Sequence, residues 1–132
     1  MSQAKNVKGF IDKLVSEFPE IKDEVLDEDY EGLITLQIGC FRRFTQKAID
    51  DSNLILVGKC FRFVEDNINN VEFPIENSLT ISYLGKLNIE PNSPIERLLP
   101  KELKDIIDTL HNYYQSPSNN EKFNKFIKGL KT

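Results

Sequence analysis

Apolar residues recur at helical spacing along almost the whole chain, and that periodicity narrows the choice of fold more than any other feature. Val7, Phe10, Ile11, Leu14, Val15 and Phe18 fall at i, i+3, i+4, i+7, i+8 and i+11, which is one stripe of an amphipathic helix. The stripe stops at Phe18-Pro19, because a residue preceding proline is pushed out of the α region. Pro19 then suits the first turn of a short helical piece over 20–26. Over 32–49, Leu33, Leu36, Gln37, Cys40, Phe41, Phe44 and Ala48 share one face of a second long helix. Asp50, Asp51 and Ser52 supply turn formers and an N-cap, and Leu54, Val57, Phe61, Val64 and Ile68 continue the pattern. Leu56, Cys60 and Phe63 widen the apolar arc of this third helix, which predicts an element contacted from two sides and placed centrally.

The stretch 79–87 carries two periods at once. Leu79, Ile81 and Tyr83 alternate like a strand, whereas Leu79, Tyr83, Leu84 and Leu87 fit a helix. A helix capped at Asn77 or Ser78 is the better reading, because a lone strand would find no partner elsewhere in the chain. A proline-punctuated connection with at most one helical turn follows. Pro100 then opens a helix with the stripe Leu103, Ile106, Ile107, Leu110, Tyr113 and Tyr114. Ser118 and Glu121 form a capping box for a last helix lined by Phe123, Phe126, Ile127 and Leu130. The sum is an all-α domain over 1–132, with about six amphipathic helices in an antiparallel bundle or a short helical-hairpin stack. A chain of 132 residues can bury a core of this kind without disulfides or metal.

Several function classes lack support in these residues. No apolar run approaches the roughly 18 residues of a membrane span, and the first ten residues lack the apolar stretch of a signal peptide, so a cytoplasmic protein is expected. A net charge of −4 disfavours nucleic acid, which is bound by neutralising phosphates with Lys and Arg. Cys40 and Cys60 have no companions at metal-ligand spacing, and the single histidine, His111, falls in a different helix, so no metal and no cofactor is expected. Walker, dinucleotide-binding and His-Glu-x-x-His motifs are missing, and His111 is the only histidine that could serve a serine as base; a non-enzyme is the expectation.

The near-echo of Cys40-Phe41-Arg42-Arg43-Phe44 in Cys60-Phe61-Arg62-Phe63 reads as packing. If the two helices fold back at Asp50-Asp51, Phe41 and Phe61 come level, and facing apolar seams place aromatic rings against each other. Arg42, Arg43 and Arg62 reach similar heights on that hairpin and are candidates for binding an anionic small molecule or phosphate. The densest charge lies elsewhere, in Asp23, Glu24, Asp27, Glu28, Asp29 and Glu31. Six carboxylates within nine residues attract basic partners and accelerate their encounter, and Tyr30 among them is the kind of anchor interfaces use.

The order "CFRFVEDNI", "IENSLTISYLGKL" and "LLPKELKDIIDTLHNYY" resembles a small bacterial family of uncharacterised, HEAT-like all-helical proteins, over roughly 33–115. The likeness runs through Phe63-Val64-Glu65 and Ser82-Tyr83-Leu84, and departs at Gly85, where such families commonly show a glutamate. It implies a helical module without catalysis, some similar small proteins being immunity partners of bacterial toxins. The expectation is therefore a protein-binding module, an immunity or inhibitor protein that neutralises a basic partner through Asp23 to Glu31. The alternative is a regulatory domain sensing an anionic small molecule through the arginines.

Overall fold

The computed structural model describes residues 4–115, and the chain there is an all-α bundle. Seven α-helices are present among the described residues: α1 (Val7–Glu17), α2 (Lys22–Val25), α3 (Ile34–Asp50), α4 (Leu54–Asn67), α5 (Phe73–Ser78), α6 (Pro94–Arg97) and α7 (Lys101–Gln115). The expected last helix, with Ser118, Glu121, Phe123, Phe126, Ile127 and Leu130, lies outside the described residues.

Helix α1 begins where the Asn6 side chain accepts from the Gly9 amide at 2.9 Å and ends at Glu17, two residues before Pro19. Pro19–Ile21 forms a 3-10 turn that runs directly into α2. A second such turn, Glu28–Tyr30, leads to Gly32, whose φ of +77° is the left-handed conformation that glycine adopts without a Cβ clash. Helix α3 starts two residues later. At its far end Ser52 takes φ 55°, the Asn53 amide bonds the Ala48 carbonyl, and the Asn53 side chain caps α4 through the Leu56 amide. The cap is thus Asn53 and not one of the residues 50–52.

The centre of the bundle is α3 and not α4. It packs against α2, α4, α5 and the turns around them, and it buries Gln37, Ile38, Cys40, Phe41, Thr45, Ala48 and Ile49. Apolar arc alone pointed to α4, but Ile55 there is 87% exposed and Leu54 is also open to solvent. The arc of α3 looks narrower in sequence because two of its buried positions are polar. Gln37 donates to the Val25 carbonyl at 3.2 Å, and Thr45 donates to the Phe41 carbonyl at 3.0 Å while sharing a 2.8 Å bond with the Tyr83 hydroxyl. Hydrogen bonding offsets the cost of burying Thr45, whereas Gln37 is satisfied only through its amide nitrogen, its Oε1 being buried without a partner among the described residues.

Phe41 sits at the middle of an aromatic cluster. Its ring lies 5.1 Å from Phe18, 5.6 Å edge-on to Phe63, and stacked at 4.8 Å on Tyr83. Phe61 is also fully buried, yet the ring facing Phe41 belongs to Phe63. Lys59 reaches over Phe18, 5.0 Å from the ring centroid, and donates to the Glu17 carbonyl at the end of α1.

The two-period stretch is helical. Helix α5 starts at Phe73, with Pro74 in its first turn, and continues into one π turn, Leu79–Tyr83, and a 3-10 turn, Leu84–Lys86. The wider π turn shifts the inward face by one residue. Ile75, Leu79, Tyr83 and Leu84 all point into the core. At the other end of this segment the Gln46 side chain grips the Asn88 backbone through both its amide and its carbonyl.

Two outcomes follow from this core. Phe41→Ala removes the ring on which three other segments converge and should cost about 3–5 kcal/mol in a urea titration. Stability should also fall in alkali. Burial pushes the Cys60 thiol up to about 11 from its ordinary 9.0, and holds the Tyr83 phenol well above 10.0. The folded chain keeps these protons after the unfolded chain has lost them, so the stabilisation is complete below pH 9 and fades as pH rises toward 11. Urea midpoints measured from pH 8 to 11 should decline, and a flat profile in the wild-type chain would contradict the assignment.

Candidate partner-binding surface

The acidic segment folds as two short helical elements laid against the start of α3. Neither α2 nor the Glu28–Tyr30 turn is long enough to be stable alone, and each is held by one inward residue. Val25 is fully buried and Tyr30 half-buried, whereas Asp23, Glu24, Asp27, Glu28, Asp29 and Glu31 are all exposed. The Asp27 carboxylate accepts from the Asp29 amide at 2.8 Å and so starts the second turn. The structure thus brings the six carboxylates onto one stretch of surface.

Among the described residues, only Glu24 of these acids is engaged in an ion pair. Arg43, reaching from the third turn of α3 past Cys40, donates to its carboxylate, and the guanidinium also lies 3.5 Å from the Cys40 sulfur. The bond from Arg43 holds the Glu24 carboxyl below the usual carboxylate range, and burial together with Glu24 pushes the Cys40 thiol up to about 11. Cys40 is therefore a packed thiol and not a ready thiolate nucleophile. The other five acids, Asp23, Asp27, Glu28, Asp29 and Glu31, form no ion pair among the described residues.

The three candidate arginines differ in their surroundings. Arg43 is engaged by Glu24, Arg42 is half-buried on α3, and Arg62 is exposed on α4; neither Arg42 nor Arg62 forms an ion pair among the described residues. Cys60 packs beside Thr45 and Tyr83, away from Cys40 and its Glu24–Arg43 pair, and His111 is exposed on α7. Among the described residues no helix is long and apolar enough to cross a membrane.

Sequence reasoning missed the apolar side of this surface. Leu26, Leu33 and Leu36 are 48%, 49% and 47% exposed, although Leu33 and Leu36 belong to the stripe that was expected to pack. The stripe splits at the first turn of α3: Gln37 and Cys40 turn under α2, and Leu33 and Leu36 extend beyond its reach. The signal was the shortness of the 20–26 piece, which can cover only part of a seventeen-residue helix. Residues 11–115 match one family model. The chain belongs to the family described as a domain of unknown function (DUF7674). Its matched span takes in the whole acidic surface, the α3–α4 hairpin and α7. No curated protein and no solved structure matches the chain.

Because the Arg43 and Glu24 side chains are both about half exposed, Arg43→Gln should cost under about 1 kcal/mol in urea denaturation. A larger loss would mean that the pair, and not Val25 and Gln37, holds α2 in place.

Proposed function

We propose that this chain is a non-catalytic protein-binding module that neutralises a basic partner protein, in the manner of an inhibitor or immunity protein. The observation that carries the reading is the set of five carboxylates, Asp23, Asp27, Glu28, Asp29 and Glu31, held outward on two short turns with no cation of the chain beside them in an ion pair among the described residues. Such a cluster repels itself and projects a negative potential, which a basic surface relieves on binding. Tyr30, half-buried against the core between the acids, fixes the turn that displays them. The anion-sensing alternative draws less support, because Arg43 already serves Glu24.

Asp27→Lys, Glu28→Lys and Asp29→Lys together should slow association with a basic partner at low salt by about 10- to 100-fold, since charge at an interface acts mainly on the encounter rate. Affinity capture from a lysate of the source cells, at low and moderate salt, supplies the partner, and stopped-flow mixing with the captured protein reads the rate. An association rate indifferent to salt and to the triple reversal would refute the proposal. A melting temperature within a few degrees of wild type checks that the variant folds, as all three residues are exposed.

A further inference from the structure

We infer that the exposed leucines beside the acidic turns seat the apolar face of a basic amphipathic helix, so that the partner is recognised by a helical segment and not by charge alone. This rests on the proposed acidic binding surface and adds the class of partner segment it takes. Isolated exposed leucines are ordinary; these three are set apart by position. Leu33 and Leu36 stand on one face of the first turn of α3, and Leu26 directly follows Val25, whose carbonyl receives the Gln37 amide from the next turn of the same helix. A shallow hollow of about 300 Å³ runs along 32–36, lined by Gly32, Leu33, Ile34, Thr35 and Leu36. Gly32 carries no side chain to fill it, and a Cβ placed there would meet nothing within 4 Å.

Charge decides the occupant. The residues preceding the hollow are Asp27, Glu28, Asp29 and Glu31, exposed and without ion pairs among the described residues. A purely apolar segment would have to desolvate those carboxylates without compensation. An extended polybasic segment would satisfy them and leave the leucines in water. A helix with leucine-like residues at i, i+3, i+4 and i+7 and lysines or arginines flanking that stripe satisfies both at once. A second copy of this chain docked face to face is a poor occupant, because its own acidic turns would meet these.

The test uses two synthetic peptides of identical composition, built from leucine and lysine. In one the leucines fall at i, i+3, i+4 and i+7; in the other they are spread evenly around the helix. Fluorescence anisotropy of each against the full chain should show the amphipathic isomer binding at least about tenfold tighter. Leu33→Ser with Leu36→Ser should erase that preference while leaving the weaker, salt-sensitive binding common to both isomers. Asp27→Lys with Asp29→Lys should weaken both, whereas Asp66→Lys with Glu90→Lys, reversed elsewhere on the surface, should not. Equal affinity of the two isomers, or a preference that survives the leucine substitutions, overturns the helix-seating inference and leaves the acidic surface standing. Binding that is unaffected by reversal at Asp27 and Asp29, or no binding of either isomer, overturns the acidic surface as well.

Discussion

Three rings, from Phe18 after α1, Phe63 on α4 and Tyr83 at the end of the π turn, rest on a single side chain of α3, Phe41. Aromatic contacts of this kind add to simple area burial through the geometry they prefer, so they set how each element is angled as well as how tightly it packs. Tyr83 is held further by its hydroxyl bond to Thr45, one turn along the same helix. Placing α3 at the centre thus orients everything around it, including the short acidic elements that lean on its first turns.

The character of the surface follows from where that central helix is covered and where it is not. α2 reaches Gln37 and Arg43 and no further toward the start of α3. The chain then leaves through the Glu28–Tyr30 turn and Gly32, so the first turn of α3 emerges with Leu33 and Leu36 uncovered. The acids occupy the same connection because its outward positions must be solvated, and most of them find no counter-charge on α3. An apolar strip and a negative rim arise together from one short, tightly turned connection.

Part of this was legible in sequence. The i, i+3, i+4 stripes of α1, α3 and α4, the stop at Pro19 and the opening of α7 after Pro100 were readable because each is set by local backbone chemistry. The acidic residues were readable as a cluster because they are contiguous. The centrality of α3 was not, since Gln37 and Thr45 look polar until their partners, Val25 and Tyr83, are known to lie beside them. Nor was the ring contact in which Phe63 and not Phe61 meets Phe41.

By itself the sequence determined an all-helical chain with a contiguous negative segment, because helix stripes, proline stops and runs of charge depend only on neighbours along the backbone. Tertiary structure decided which helix is central, how the π turn brings Tyr83 to Thr45, that Arg43 is spent on Glu24, and that Leu26, Leu33 and Leu36 remain outside. Each of these is a matter of contacts between residues distant in sequence, and burial is a property of what arrives from elsewhere in the chain. A leucine on an amphipathic stripe is bound for the core only if some other element is long enough to cover it.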